Sequence, residues 1–380
     1  MNRAPGPGIP ARGMEEEQVM LRKAWLIGGL LILVIVAVGL AASPALAAGG
    51  KNCSAERGQL LIDAAEYDRA VREFTCVILA QPTGVEGYRG RIEARLLLGE
   101  FSAAFGDYAL VTAMVLPVHP DAASTILSGY AARLAETPDE IPALTGLSFA
   151  HWWLFGYAAA INVLNDLLAI RPDDVYGNLF RGSSAMLKGG LQAQAAEDLE
   201  RAILLAPASP DVHYIVADAY LYGAGDHARA FEEATIALEG GLDTPRVNAI
   251  LAGFHLAEGE PGAAAAYLAR HIELVTIEYA PAAPLAAGGT LNLDLVPGRT
   301  CEIPVPAVAG QTLAIQTRSN DYFDTIAVLL APDGMPVTGG DDFMQYYAGF
   351  QWTAEETGTY VLQATFFEAV NTGTIKVTRK

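Results

Sequence analysis

The sequence predicts a multidomain chain: an all-α helical-repeat solenoid, then a C-terminal all-β antiparallel sandwich, behind one N-terminal hydrophobic signal or anchor helix. Three observations carry this. Ala70, Ala104, Ala160, Ala195, Ala230 and Ala264 recur at separations of 34, 56, 35, 35 and 34 residues, and a period near that value marks stacked helical repeats. From about residue 290 the apolar residues alternate with polar ones, the period of half-buried strands. Residues 24–42 are a 19-residue run without a charge.

Bulk properties narrow the function. A chain of 380 residues has room for two or three domains. With 52% hydrophobic and 18% charged residues, burial is not limiting. The net charge of −19 repels nucleic acid and anionic lipid. No basic stripe with interleaved aromatics occurs, so no nucleic-acid partner is expected.

Residues 1–23 form a cytoplasmic or pre-signal tail, and residues 24–47 a signal peptide or membrane anchor helix. Arg22-Lys23 precedes the apolar run, and Ala45-Leu46-Ala47-Ala48 follows it. Basic flank, apolar run and small residues together form an export signal. The run is also just long enough to span a bilayer, so cleavage after Ala47 and retention as an anchor both stand. Met1, Met14 and Met20 are alternative starts. Either way the basic flank stays cytoplasmic and the remainder faces outward. Disulfides persist in that compartment. Cys53 and Cys76 flank the first pair of helices, which brings them toward each other as a disulfide; the alternative is two small buried side chains. A disulfide leaves Cys301 unpaired.

Residues 51–278 hold the repeats. In 175–207, Leu179, Met186 and Leu187 form one apolar set, and Leu191, Ala195, Leu199, Ala202, Ile203 and Leu204 a second, each with helical spacing. Gly189-Gly190 ends the first helix and Pro207 stops the second. Ala195 lies where the two helices cross, since a small side chain there lets the axes approach to roughly 8–10 Å. The 56-residue interval holds 22 surplus residues, enough for one extra helix at 121–136 with Asp121 as N-cap.

This region resembles the tetratricopeptide repeat family. The matching residues are the small residue near the start of each second helix, a large one four later (Phe74, Tyr108, Leu164, Leu199, Leu268), the closing prolines Pro82, Pro117, Pro172 and Pro207, and Gly58 and Gly182. Ala234 takes the place of the large residue in one unit, and the last two units lack the proline. The resemblance implies a superhelix whose first helices line a concave, partner-binding groove. That groove includes Arg89, Glu93, Phe149, Trp152, Phe180, Ile215 and Tyr222. Trp152 and Trp153, at adjacent helical positions, cannot point the same way, which leaves one at the surface. The Lys and Asn clusters of the family's carboxylate clamp are missing.

Residues 279–289 are a Pro/Ala/Gly linker, extended by prolines and loosened by its final glycines. In 290–380, Leu291/Leu293/Leu295, Leu313/Ile315, Ile326/Val328/Leu330, Phe350/Trp352, Tyr360/Leu362/Ala364 and Ile375/Val377 alternate with polar neighbours. Turn residues separate them, which gives seven or eight short strands in a sandwich. The stretches 309–313, 323–329, 331–334, 341–342 and 357–361 resemble the bacterial pre-peptidase C-terminal domain family, a β-sandwich implicated in secretion or in binding extracellular polymers. Asp324, Asp341 and Asp342, with Asp333, are candidate calcium ligands; the simpler reading makes Asp333-Gly334 and Asp341-Asp342 turn-builders.

No His-Glu-x-x-His, Gly-x-Ser-x-Gly or phosphate-binding loop occurs, so no catalytic residue and no cofactor other than calcium is proposed from sequence. The expected function is an exported or membrane-anchored, non-enzymatic scaffold that binds a protein or peptide in its groove. The alternative is an extracellular polysaccharide or matrix binder acting through the sandwich, with Tyr346, Tyr347 and Trp352 as contacts.

Overall fold

A computed structural model describes residues 53–111, 115, 119, 121–319, 323–341, 348–367, 371 and 373–380. The tail 1–23 and the apolar segment 24–47 lie outside them. Among the described residues no helix is long and apolar enough to cross a membrane.

Five helical hairpins follow one pattern: α1 (Ala55–Asp63) with α2 (Tyr67–Ala80), α6 (Ile141–Trp153) with α7 (Tyr157–Ile170), α8 (Val175–Lys188) with α9 (Gln192–Leu205), α10 (Pro210–Ala219) with α11 (His227–Glu239), and α12 (Pro245–Ala257) with α13 (Pro261–Val275). α3 (Val85–Leu98) and α4 (Phe101–Leu110) form a further hairpin, followed by α5 (Ala122–Glu136). Side-chain oxygens start several of these helices: Ser54, Asp174, Ser209, Asp226 and Thr244 each accept a backbone N–H from the first turn. Asp121 stands at the start of α5, but its side chain makes no capping bond. Its carbonyl instead accepts the hydroxyls of Ser124 and Thr125.

Each of the six periodic alanines is the fourth residue of its second helix, and all six have no exposed surface. The reason is close approach. A Cβ on Gly182 of α8 would lie 2.9 Å from the carbonyl oxygen of Ala195 and 2.8 Å from Leu199 Cγ. Three residues after the alanine, an acid recurs in four second helices. Glu73 pairs with Arg57, Asp107 with Arg91, Asp198 with Arg181, and Glu233 with His213. The repeat thus carries a small-residue crossing and an ionic tie at fixed offsets. Cys53 and Cys76 are joined in a disulfide that ties the chain ahead of α1 to α2.

The C-terminal region packs two sheets face to face. One has the order β1-β3-β8-β5-β6, the other β2-β9-β4-β7. The strands are β1 (Glu278–Pro281), β2 (Thr290–Leu295), β3 (Arg299–Ala307), β4 (Thr312–Ser319), β5 (Thr325–Leu330), β6 (Pro336–Asp341), β7 (Gly349–Thr353), β8 (Gly358–Phe366) and β9 (Gly373–Arg379). Among the described residues all strand pairs are antiparallel except β1 with β3. Alternation on β3 hides Cys301, Ile303, Val305 and Ala307 in the core. Pro304 and Pro306 point their missing N–H groups away from β8, past the end of β1, where a ladder bond is not required.

The expected linker is not a loose one. Its first residues are β1, then the amides of Ala282 and Leu285 donate to Glu302 and Pro304 of β3. Leu285 is buried in the sandwich core. Extended, proline-rich backbone suits an edge strand as well as a spacer, and the neighbouring carbonyls of β3 decide between them.

The last hairpin and the sandwich share one core, in which Ala264, Leu268 and Ile272 of α13 meet Ile326 and Val328 of β5. Gly339 of β6 lets Leu268 lie against the sheet, since a Cβ there would come within 2.7 Å of Leu268 Cδ1. His271 closes the joint. Its Nδ1 lies 2.9 Å from the Pro245 carbonyl and its Nε2 2.8 Å from that of Phe367. Burial pushes its pKa below the ordinary value of 6.5, while the two carbonyls pull the other way.

Candidate functional site: the concave face of the stack

The first helices α6, α8 and α10 present aromatic side chains on one side: Phe149, Trp152 and Trp153, then Tyr176 and Phe180, then Tyr214. This is the groove side expected from sequence, but it is covered. Helix α4 lies across it. Phe105 stacks on Trp152 at 5.3 Å and on Phe149 at 5.5 Å, and meets Phe180 and Tyr214 edge-on at 6.1 and 6.3 Å. Phe101 reaches Tyr176 and Phe180, and Tyr108 lies 4.8 Å from Trp153. These three residues follow the i, i+4, i+7 stripe of an amphipathic helix. Offset and edge-on ring pairs of this kind contribute about 0.5–1.5 kcal/mol each beyond burial.

Polar groups fix how α4 lies. The Ser102 amide donates to Asp211 Oδ1 of α10 at 2.6 Å, so a carboxylate from a distant hairpin satisfies one of the open N–H groups at the start of α4. Asp107 takes a two-pronged bond from Arg91 (2.9 and 2.5 Å) and a third contact from Arg95 at 2.7 Å. Burial lowers the Arg95 pKa, while Asp107 opposes that shift. Phe101, Tyr108, Phe149, Trp152, Tyr176 and Phe180 of this contact are buried. Burial pushes the phenols of Tyr108 and Tyr176 far above their ordinary value.

Helix α5 covers the adjoining part of α3. Arg133 donates to both oxygens of Glu93, at 3.1 and 3.0 Å, and also pairs with Glu140. Arg89 and Arg133 flank the ring of Tyr130, each 5.8 Å from its centre.

The expected groove residues therefore need correcting. Glu93, Phe149, Trp152, Phe180 and Ile215 are buried and are not free to touch a partner. Arg89 is partly covered by Tyr130. Tyr222, on the π-helical turn Tyr220–Ala224, lies under the Arg246 guanidinium at 4.4 Å. Trp153 is half-buried rather than exposed. The physical reason is that the chain's own α4 and α5 occupy the face, and Arg246 of α12 covers Tyr222. Arg89, Glu93, Phe149, Trp152, Phe180 and Ile215 do lie on first helices, Tyr222 lies on the turn after α10, and sequence reasoning missed Phe101, Phe105, Tyr108 and Asp211. The aromatic stripe on α4 was the available signal.

Such a surface can hold an apolar helix. Among the described residues no group of three His, Cys, Asp or Glu side chains is placed to hold a metal ion. Asp342 lies outside them. Asp324 holds its place through its carbonyl, which accepts the Phe367 amide. Asp333 accepts the Met335 amide and builds its turn.

No family model and no curated protein matches the chain. Among solved structures it is similar to a tetratricopeptide repeat protein from Parabacteroides merdae, with 16% identity, a TM-score of 0.37, and 59% of this chain and 78% of that one covered. A thermophilic tetratricopeptide repeat protein of Thermus thermophilus matches at 21% identity and TM-score 0.34, over 53% of this chain and 96% of that one. The pre-peptidase C-terminal domain of a Bacillus anthracis collagenase matches at 16% identity and TM-score 0.23, over 27% of this chain and 95% of that domain.

Proposed function

We propose that the chain is a non-enzymatic scaffold, exported or held by one N-terminal membrane helix, that grips a protein or peptide on the concave face of its helical stack. The observation that supports this is the aromatic face of α6, α8 and α10, which accommodates a helix. An extracytoplasmic location is favoured by the Cys53–Cys76 disulfide, a bond that persists in oxidising compartments. The core shared by α13 and the sandwich joins the two regions. The polysaccharide reading has less to stand on. Trp352 packs, partly buried, against the sandwich core, and Tyr346 and Tyr347 lie outside the described residues.

The test is photo-cross-linking in the source cell. A benzophenone amino acid at Trp153 should give one discrete protein adduct, and the same group at Leu204, on an outward-facing second helix and 68% exposed, should give none. Adducts only from Leu204, or none from either site, would remove the concave face as the partner surface.

A further inference from the structure

Between α3 and α6, two helices compete for one job. In the first hairpin, Phe74 of α2 lies against Gly90, the sixth residue of α3; a Cβ there would be 2.1 Å from its ring. Tyr130 of α5 lies in the same way against Gly146, the sixth residue of α6, where a Cβ would be 2.2 Å away. α5 also bonds back to α3 through Arg133 and Glu93. It thus supplies the packing that a second helix gives its successor. α4, the helix whose sequence register fits the repeat, is released from that duty and spends its aromatic edge on α6, α8 and α10.

We propose that α4 is a built-in ligand: an autoinhibitory helix seated in the partner site. This rests on the concave-face reading and names its regulation and its partner class. The partner is an amphipathic helix that repeats what α4 offers. It carries aromatic side chains in the spacing of Phe101, Phe105 and Tyr108. It carries an acid in the place of Asp107, because Arg91 is buried and Arg95 half-buried, and both need a carboxylate when α4 leaves. Its N-terminus lies at Asp211, the end where α4 starts. A polar or purely aliphatic helix would leave the flat faces of Trp152, Phe149 and Phe180 poorly filled. In the resting chain the occupant is tethered, so an incoming helix pays the full cost of the closed state. Its apparent affinity is reduced by the fraction of molecules that are open.

The test uses the full chain and a fluorescent synthetic peptide of residues 100–111. Replacing Phe101, Phe105 and Tyr108 together by Ser weakens the resident helix and leaves Asp107 in place. Anisotropy should show the peptide binding this variant at least tenfold more tightly than wild type, and a peptide carrying the same three changes should not bind. A variant that melts cooperatively yet gains no affinity overturns the proposal. Hydrogen exchange on the unmodified chain covers a variant that does not fold. Amides of α4 should exchange at least a hundredfold faster than those of α8 through local opening. Equal protection of the two helices makes α4 ordinary core and overturns the proposal. A cross-linked partner at Trp153 combined with that result would leave the scaffold reading intact and remove only the exchange.

Discussion

Replacing Ala195 by Leu should destabilise the helical stack, and the structure sets the size of the effect. Ala195 is the fourth residue of α9 and has no exposed surface. Opposite it, Gly182 of α8 cannot accept even one methyl group, which would come within 2.9 Å of the Ala195 carbonyl oxygen. Leu adds three carbon atoms at this crossing. Either its rotamer is forced away from a staggered well or the helices separate and Leu199 loses contacts. Overpacking of this kind costs about 1–3 kcal/mol. That is roughly a 5- to 140-fold rise in the unfolded-to-folded ratio, at about 1.4 kcal/mol per tenfold change. Urea titration by circular dichroism reads it as a lower midpoint, with the slope checked because repeat stacks need not unfold in one step. Ala193→Leu is the control: Ala193 lies on the same helix and is exposed, so it should be nearly neutral. If both variants melt alike, the alanine register does not mark helix crossings.

Two further perturbations probe the ends of the stack. Cys53→Ser opens a loop whose ends are 23 residues apart, and chain entropy predicts a loss of about 3 kcal/mol confined to the first hairpin. Hydrogen exchange that rises across α1 and α2 alone is the expected result; no change would mean the bond does not constrain the hairpin. At the other end, burial lowers the His271 pKa from 6.5. The stability this neutral ring contributes is therefore fully present above pH 6.5 and is lost as pH falls through the lowered value. Acidification below 6.5 should loosen the joint between α13 and the sandwich. His271→Asn should reduce that acid sensitivity, read as limited proteolysis at 276–289 against pH; an unchanged profile would exclude His271 as its source.

Much of the fold was legible in the sequence because its signals are local. The alanine period lies within single hairpins, where the crossing demands a small residue. The two-residue alternation of β2, β4 and β8 comes from facing one core, whereas β5 is buried on both faces, with Ala327 and Leu329 in the sandwich and Ile326 and Val328 against α13. β3 escaped notice because Pro304 and Pro306 interrupt the strand pattern, and only the short reach of β1 explains how a strand tolerates them. The concave face was legible in place and illegible in state. Phe149, Trp152 and Phe180 lie on the helices expected, yet their exposure depends on α4, which reaches α10 across 109 residues of sequence. An aromatic stripe on α4 looks the same whether it packs on its own hairpin or on three others. The surplus length predicts an extra helix at 121–136. The structure gives that helix the stacking work, as Tyr130 against Gly146 indicates.

The claim that the chain fills its own concave face is tested most directly by a Ser102→Cys/Asp211→Cys pair. In the folded chain these positions bring an amide and a carboxylate to 2.6 Å. Mild oxidation of the full chain should yield a disulfide-linked peptide pair containing both, absent after reduction and absent when α4 carries the three Ser changes. An open stack would keep α4 and α10 apart, and failure to recover that cross-link from protein with a normal melting curve would contradict the account.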